Sequence, residues 1–522
     1  MNPLQAQESA RGNRRPGRSR RQSRGGRLAS SQAVNPSPAY IRRRIPVYDM
    51  LDEEQLVRLE EQAEWILAEV GVEVRDDPIA LDLFREAGAT VDGERVRFDR
   101  GHVRALCQSA PRTFSMHARD PAKTVEFGGD NVILGPAYGS PFVSDLEGGR
   151  RYGTVEDFQN FVKLTYMTPA LHHQSGTVCE PVDVAVNKRH LDMVYAHLRY
   201  SDKPFMGSVT AAERAEDSIA LAQIAFGEEF LRDHTVIQGN VNVNSPLVYD
   251  HIMTGALRAY AAANQGVVVS PFILSGAMSP VTQGALIAQA HAEAMVGVAL
   301  TQLVRPGAPV VYGSFLTTMD LKTGAPTFGT PESNLACFAI SQLCRRLGVP
   351  FRCGGHLTAS KVADAQAMSE SADTMYPAVM AGANFIFQAA GWLEGGLTIG
   401  YEKFVMDTER CGAVARQLEG LALDDNDLGS EAFLEAGIGK NFLGVAHTMK
   451  NFRTANYRAE LHDTKSFEQW RDAGSKDMLQ RAHEKWTSML AEYELPPMDE
   501  AVDEALLDFI ARKKESMDDQ WY

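Results

Sequence analysis

Long apolar runs, paired cysteines and phosphate-binding motifs are all scarce in this sequence of 522 residues. No apolar stretch approaches the roughly 18 to 20 residues that a membrane helix needs, and the hydrophobic core of a secretory signal is missing. The six cysteines are scattered, without a CxxC pair or the His/Cys spacing of a structural zinc site. These absences favour a reduced, cytoplasmic globular protein over a secreted scaffold, a membrane protein or a zinc module.

Acidic residues are almost missing from residues 1–44, which hold eleven arginines against the single acid Glu8. The remaining residues carry 41 basic against 66 acidic side chains, a formal charge near −25. Because residues 1–44 also have no apolar periodicity, we expect a disordered, Arg-rich arm. The arm is either a solvated tail or a contact for an acidic partner protein. Nucleic acid is the weakest alternative, because the acidic body would repel phosphates.

The segment 310–366 has the clearest organisation. An apolar run ends in a Gly-containing turn at Gly313, and a second one ends at Gly354 and Gly355. Between them, apolar residues three and four apart predict a helix that begins after Thr330 and ends at Gly348. The order strand, loop, helix, strand places both turns at the carboxyl ends of strands, where parallel α/β folds bind their ligands.

The same alternation of strand and helix extends over residues 154–425. Eight apolar runs, each followed by a helical pattern, fit a (β/α)8 barrel in an α/β protein. An open doubly wound sheet is the alternative, and the lack of a GxGxxG at the first unit disfavours it. The predicted strands are 173–178, 204–209, 235–241, 266–273, 309–312, 350–353, 384–388 and 397–401.

The flanking regions have different patterns. Residues 45–153 mix short helical and strand patterns and are predicted to form an N-terminal α+β extension. Residues 426–522 are helical and charged, which predicts a C-terminal helical cap. The predicted domains are therefore the arm 1–44, the extension 45–153, the barrel 154–425 and the cap 426–522.

Amides, hydroxyls, glycines and aromatic residues dominate the predicted strand ends. A cluster of carboxylates, a Lys after the last strands, a phosphate-binding loop and a nucleophile–base pair are all missing there. This disfavours a magnesium-dependent enolising barrel, a Schiff-base aldolase and a phosphate-binding barrel. An isolated Asn or Gln is more often a satisfied polar group than a ligand-binding residue, but several amides on one rim favour a binding role, and the candidates are Gln174, Gln238, Asn240 and Gln388.

Aromatic residues and one histidine complete the candidate site. Tyr312, Phe315 and Trp392 are candidates for an aromatic cage around a cation, with packing in the core as the alternative. His356, which follows two glycines, is a candidate acid, base or carboxylate partner, and a loop-capping role is the alternative. No metal site is predicted.

Several segments together resemble the trimethylamine methyltransferase family. They run in the family's order and spacing from about residue 45 to the end of the chain, and they are 66–72 (ILAEVGV), 312–314 (YGS), 319–324 (MDLKTG), 329–332 (GTPE) and 360–367 (SKVADAQA). The trimethylamine enzymes carry a pyrrolysine just before the last of these motifs, where this chain has the ordinary residues 355–358 (GHLT). The sequence is therefore more similar to the branch without pyrrolysine, which includes glycine betaine methyltransferases.

This resemblance implies a (β/α)8 barrel that moves a methyl group from a methylated amine to the cobalt of cobalamin. The cobalamin is carried on a partner corrinoid protein, and none is expected to bind stably to this chain, which has no DxHxxG motif. Tyr312, Phe315 and Trp392 would hold a trimethylammonium group. His356 and the backbone amides of Gly354 and Gly355 would meet a substrate carboxylate.

Other functions stay open at this stage. The chain is also consistent with a trimethylamine or other methylamine methyltransferase, a tetrahydrofolate-linked demethylase or a lyase on the same barrel. A non-catalytic betaine-binding barrel is a further alternative, as is a regulatory role through the arm. The expected partners are a corrinoid protein and a small quaternary amine, without nucleic acid or membrane, and a homo-oligomer is left open.

Overall fold

A computed structural model describes residues 39–521, so the predicted arm lies outside the described residues except for its last part, 39–44. A curled sheet of parallel strands forms the centre of this region, and the strands pair in the order β1-β7-β6-β5-β4-β3-β2. The strands are β1 Asn131–Leu134, β2 Phe205–Met206, β3 Ile237–Val243, β4 Gly266–Ser275, β5 Val310–Gly313, β6 Phe351–Gly354 and β7 Phe385–Phe387.

The segment 172–175 runs between the outer strands β1 and β2 without forming a regular strand. The backbone amide of His172 donates to Leu134 O of β1 at 2.9 Å, and that of Gln174 donates to Pro204 O at 2.8 Å. Met206 N of β2 returns a hydrogen bond of 2.8 Å to Ser175 O. The strand predicted at 173–178 is therefore reduced to a short irregular segment.

Eight helices each follow a central strand or the segment 172–175, and they cover the outside of the sheet. They are α1 Val155–Met167, α2 Arg189–Tyr200, α3 Ala212–Phe226, α4 His251–Ala262, α5 Gln283–Val304, α6 Pro331–Leu347, α7 Ala365–Ala381 and α8 Tyr401–Leu418. Local signals explain their ends. Thr154 and Asp157 form a capping box at the start of α1, and α6 has Pro331 in its first turn and ends at Gly348, whose φ is +85°.

Two strands form where the sequence pattern predicts them, but they pair in a different sheet. Residues 131–134, in the predicted extension, supply β1 of the central sheet, so this sheet begins before the predicted boundary at 154. The run 397–401 supplies Thr398–Gly400, which pairs outside the central sheet. A short apolar run has the same appearance in either sheet, because its pattern says nothing about its partner strand.

The smaller sheets surround the central one. Thr398–Gly400 belongs to a four-stranded sheet with Phe142–Asp145, Gly149–Tyr152 and Trp392–Leu393. Three short strands extend the central sheet itself: Ile41–Arg42 pairs with β1, Phe315–Met319 pairs with β4, and Pro326–Thr327 pairs with Phe315–Met319. The other short strands are Val72–Arg75, Thr90–Asp92, Arg95–Arg97, Phe114–Met116, Val125–Phe127 and Val248–Asp250.

Further helices precede and follow the central part. The N-terminal ones are Glu53–Trp65, with a π-helical turn Ile66–Val70, then Pro78–Glu86 and His102–Leu106; Glu228–Asp233 lies between α3 and β3. The C-terminal ones are Asp425–Leu428, Ser430–Ala436, Ala446–Asn451, Phe467–Asp472, Met478–Ala491 and Glu500–Glu515. None of the helices within 39–521 has an apolar stretch of the length that crossing a membrane requires.

The inner face of the sheet differs from one end to the other. At the amino ends of the strands, Met116 and Phe127 of a short hairpin pack on Val268, Val311 and other apolar side chains inside the sheet. This apolar cluster fills that end. Polar side chains line the inner face towards the carboxyl ends, so the candidate site lies there.

Candidate functional site

Tyr312 does not lie on the inner face. Side chains of a strand alternate between its two faces, and in β5 Val311 packs inside the sheet with Val268. The hydroxyl of Tyr312 lies 3.1 Å from Nδ1 of His291 in α5, among the outer helices. Burial lowers the pKa of His291 to about 4, so this imidazole is neutral. Tyr312 is therefore a core residue, and its predicted place in a cation cage is corrected.

Arg352 of β6 faces the inside of the sheet and is only 3% exposed. Its Nη1 donates to Ser270 Oγ at 3.1 Å and to Ser314 O at 3.4 Å, and its Nη2 donates to Gln388 Oε1 at 3.2 Å. Its Cζ lies 4.4 Å from the ring centre of Phe387. Burial lowers the pKa of Arg352 to about 10, which leaves the guanidinium charged at neutral pH.

Arg352 is not among the site residues predicted from the sequence, although its position in the sequence is unusual. It is the only charged residue in the apolar run 349–353. A strand that is covered on both faces excludes charged side chains unless a partner or a function keeps them there. An arginine directly before the glycines of a strand end is therefore a functional candidate.

Gln388, a predicted site residue, does lie at the inner face. It follows β7 directly, has a φ of 51° and is 3% exposed. Its side-chain oxygen accepts the hydrogen bond from Arg352, and its backbone carbonyl accepts one from His356 N at 2.9 Å. The left-handed backbone turns the amide inward, towards the guanidinium.

Gln238 and Asn240 also face inward, and with Asn242 they form a stripe of amides on β3. Gln238 and Asn240 are buried, whereas Asn242 is exposed, so the stripe leads from the interior to solvent. The strand register places Asn242 beside Ser270, the residue that accepts a hydrogen bond from Arg352. The side-chain oxygens of Gln238 and Asn240 have no hydrogen-bond partner within 39–521, which leaves two acceptors for a ligand or water.

Gln174 is not part of this arrangement. Its Nε2 donates to Ser201 Oγ at 2.6 Å and to Val162 O of α1 at 3.3 Å. These contacts lie in the helix layer, and the irregular backbone of 172–175 places the side chain there. The structure thus separates Gln174 from Gln238, Asn240 and Gln388.

Two predicted aromatic residues, Phe315 and Trp392, do come together, and Phe328 joins them. The ring centres are 5.8 Å apart for Phe315 and Trp392, 6.0 Å for Phe328 and Trp392, and 6.0 Å for Phe315 and Phe328. We call these three residues the aromatic trio. Gly396 leaves room for the indole, since a Cβ there would overlap the Trp392 ring.

The trio adjoins Arg352, whose Cζ lies 5.9 Å from the ring centre of Phe315. All three rings are at least nine-tenths buried, and Trp392 Nε1 has no hydrogen-bond partner among the described residues. Phe328 was missed in the sequence, because it stands in the loop after a short strand, 64 residues from Trp392. Only the tertiary structure brings these rings together.

His356 lies behind the site and is completely buried. Its Nδ1 is 2.7 Å from Ala389 O and 3.8 Å from Oδ1 of Asp407 in α8. Burial, with a smaller effect of Lys403, lowers the pKa of His356 well below its usual value, so the ring is neutral and Nδ1–H donates to the carbonyl. The predicted contact with a substrate carboxylate is therefore corrected for Nδ1, which faces the helices, whereas Nε2 is buried and has no hydrogen-bond partner within residues 39–521.

Gly354 and Gly355 serve close packing at the end of β6. A Cβ on Gly355 would lie 2.8 Å from Ile386 Cγ2, and one on Gly354 would lie 2.7 Å from Leu357 Cδ1. The amide of Gly355 already donates to Phe387 O at 2.7 Å. This amide is therefore unavailable for the predicted contact with a substrate.

The known proteins to which this chain is similar align with most of its sequence. The profile of the family described as trimethylamine methyltransferase (MTTB) matches residues 14–518. The glycine betaine methyltransferase of Desulfitobacterium hafniense (strain Y51) is 38% identical over 473 residues, which cover 90% of this chain and 98% of that protein. The trimethylamine methyltransferase MttB of Methanosarcina thermophila is 28% identical over 445 residues, 83% of this chain and 91% of that protein.

Two solved structures of the monomethylamine methyltransferase MtmB are more distant. The hydroxylamine complex of MtmB has 13% identity and a TM-score of 0.45, covering 87% of this chain and 97% of that one. The Methanosarcina barkeri enzyme has 12% identity and a TM-score of 0.44, covering 87% and 96%.

Proposed function

The chain belongs to the trimethylamine methyltransferase family and is a methyltransferase, and on that premise we propose that it transfers a methyl group from a quaternary amine to cob(I)alamin on a partner corrinoid protein. The relative with 38% identity acts, by its name, on glycine betaine. Residues 355–358 hold no pyrrolysine, which distinguishes the chain from the trimethylamine enzymes, since those carry a pyrrolysine at this place. Further support comes from the inner face of the sheet.

The architecture supports a site at the carboxyl ends of the strands. We propose that the seven parallel strands and the segment 172–175 together form a closed (β/α)8 barrel. The backbone hydrogen bonds of this segment to Leu134 O and Pro204 O are the support for closure. In such barrels the residues at the carboxyl ends of the strands carry the chemistry. Arg352, Gln388 and the aromatic trio all lie there.

The observation that carries the proposal is the aromatic trio. A quaternary ammonium has no N–H to donate, so it cannot be bound through ordinary hydrogen bonds, and the faces of aromatic rings are a common way to attract it. Phe315, Phe328 and Trp392 supply ring surface from three separate segments of the chain and are nearly excluded from water. A desolvated cation–π contact contributes about 2 kcal/mol, so such a trio is adequate to hold one trimethylammonium group.

The reaction needs little else from the chain. When a quaternary amine loses a methyl group, the leaving tertiary amine is neutral and needs no proton. His356, four residues after Arg352 in the sequence, is neutral, and its Nδ1 faces the helix side of the sheet. The buried rings exclude water and hold the ammonium, and a fixed orientation is the main catalytic contribution that they make.

A corrinoid on a partner protein fits the open end of the amide stripe. The exposed Asn242 and Asn244 lie at that end of β3, and their amides match the amide side chains at the edge of a corrin ring. When it is bound there, the corrinoid supplies a nucleophilic cobalt(I) that accepts the methyl group. Asn242 and Asn244 would hold the ring, while Gln238 and Asn240 extend the polar surface inward.

The test is methyl transfer by the purified full-length protein. We expect the absorbance spectrum of cob(I)alamin to change when the protein and a quaternary amine are both added, and not with either alone. The panel includes glycine betaine, carnitine, choline and trimethylamine. Demethylation without any corrinoid would favour the tetrahydrofolate-linked or lyase alternative, and tight binding without any demethylation would favour a betaine-binding protein.

A further inference from the structure

Arg352 is an unusual residue for the inside of a sheet, because it is a buried cation without an acidic partner. Within residues 39–521 no Asp or Glu side chain forms an ion pair with Arg352, and the oxygens that accept its hydrogen bonds belong to the neutral residues Ser270, Ser314 and Gln388. Taking a charge out of water costs several kcal/mol unless an opposite charge accompanies it. Three neutral oxygens and the face of Phe387 offset only part of that cost.

The guanidinium also has donors to spare. It carries five N–H groups, and three of them bond to Ser270, Ser314 and Gln388. Nε is buried and has no partner among the described residues, and one hydrogen of Nη2 is also left. Two N–H groups of one guanidinium are the number that a carboxylate accepts in a bidentate pair.

We propose that Arg352 anchors the carboxylate of a zwitterionic substrate, so that the chain acts on betaines rather than on amines that carry only positive charge. This inference rests on the proposed function, since it needs a quaternary ammonium in the aromatic trio. Its own basis is separate, namely an arginine with two free donors on the inner face of the sheet.

The positions of the two groups suit a short zwitterion. Phe315 is shared between them: its ring centre lies 5.9 Å from Arg352 Cζ and 5.8 Å from the ring centre of Trp392. One or a few carbons link the ammonium and the carboxylate of a betaine, and this length fits a span across one aromatic ring. The carboxylate then meets the guanidinium while the methyl groups meet the trio.

The charge of Arg352 also acts against competing amines. Choline and tetramethylammonium would bring a second positive charge into a poorly solvated site that already holds one, and like charges repel strongly there. A betaine brings its own negative charge and leaves the site with one net positive charge. Selectivity thus comes both from the new ion pair and from the repulsion of the wrong ligand.

The first experiment needs no variant. Binding of glycine betaine and of its methyl ester to the full-length protein is measured by isothermal titration calorimetry. Both ligands carry the same trimethylammonium group, and only the first carries a carboxylate. We expect the ester and choline to bind roughly 10- to 100-fold more weakly, as for the loss of charged hydrogen bonds. Equal affinities for glycine betaine and its ester would overturn the inference.

The second experiment assigns the effect to the residue. Arg352→Met, which keeps the length of the side chain but no donors, should bind glycine betaine and its ester with similar affinity. Arg352→Lys should recover part of the preference, because a single ammonium replaces the two-donor fork. Arg305→Met, at an exposed position after α5, is the matched control and should keep the full preference.

Failure of this inference differs from failure of the proposed function. If Arg352→Met keeps the preference for glycine betaine, the carboxylate binds elsewhere and the inference is wrong, although methyl transfer is untouched. If the wild-type protein prefers glycine betaine but transfers no methyl group to cob(I)alamin, the proposed function is wrong and the anchor stands. Should Arg352→Met not fold, the comparison of glycine betaine with its ester decides alone.

Discussion

Arg352 and Lys403 are both buried cations, yet their surroundings differ in one respect. Lys403 in α8 is completely buried and bonds to both carboxylate oxygens of Asp407, at 2.6 and 2.5 Å, and to Ser371 Oγ at 2.9 Å. Asp407 in turn accepts a hydrogen bond from Gly391 N at 2.9 Å. Arg352, on the inner face of the sheet, has only neutral hydrogen-bond partners among residues 39–521.

The difference separates a structural pair from a binding group. In the helix layer the folded chain supplies the opposite charge itself, and the pair joins α7, α8 and the loop at Gly391. On the inner face, no carboxylate within residues 39–521 pairs with Arg352. The unpaired guanidinium lowers the stability of the fold unless a ligand brings a negative charge. A buried cation that is paired with a carboxylate of the same chain is a structural residue, whereas one that lacks such a carboxylate is a candidate for binding an anionic ligand.

The largest expected effect is on stability, in the helix layer. Lys403→Met leaves the carboxylate of Asp407 buried without its cation, so we expect the free energy of unfolding to fall by about 3–5 kcal/mol. Urea denaturation followed by circular dichroism measures this change. The double variant Lys403→Met with Asp407→Leu is the control, and it should regain most of the loss because no charge remains buried.

The same variant should depend on pH. Burial raises the pKa of Asp407 to about 6, and Lys403 opposes that increase, so the pKa is higher still without the lysine. A carboxyl group whose pKa is higher in the folded than in the unfolded protein adds stability as the pH falls. The loss caused by Lys403→Met should therefore be largest above pH 6 and smaller towards pH 4. If Lys403→Met lowers the free energy of unfolding by less than about 1 kcal/mol at neutral pH, Lys403 and Asp407 are not a stabilising structural pair.

The next effect is on ligand affinity, at the inner face. Trp392→Ala removes one ring of the aromatic trio, and we expect glycine betaine to bind about 1–2 kcal/mol more weakly. Calorimetry on folded protein gives the value. Tyr312→Phe is the matched control on the helix side of the sheet: it removes the contact with His291 and should leave affinity unchanged. An unchanged affinity in folded Trp392→Ala would exclude this ring from the site.

A smaller change is expected in the stability of Arg352→Met. No carboxylate is left behind when this cation is removed, and the cost of burying it disappears as well, so the free energy of unfolding should fall by no more than about 1 kcal/mol. The contrast with Lys403→Met, measured in the same urea titrations, is the direct test of the comparison. A loss as large as that of Lys403→Met would mean that Arg352 is a structural residue of the empty protein.

For His356→Ala we expect no change in the ratio of the affinities for glycine betaine and choline. His356 faces Ala389 and Asp407 rather than the inner face, so His356→Ala should alter the affinities for glycine betaine and choline by the same factor. Parallel titrations of the two ligands measure the ratio. A selective loss for glycine betaine would restore His356 as a carboxylate partner.

Most of the secondary structure and the family were predictable from the sequence. Apolar periodicity predicted the alternation of strands and helices, and Thr330, Pro331 and Gly348 marked the ends of α6. These features depend on neighbouring residues, which is the range over which a sequence pattern acts. The ordered motifs between residues 312 and 367 indicated the family for the same reason, since they need no knowledge of contacts between distant segments.

The tertiary structure decided which side chains form the site. Tyr312 and Arg352 lie in equally apolar strands, and only the pairing of those strands determines that one faces the helices and the other the interior. Phe328 and Trp392, 64 residues apart in the sequence, come together only in the folded chain, with ring centres 6.0 Å apart. The direction of a side chain and its distant neighbours depend on packing, which is a property of the whole chain and not of its local pattern.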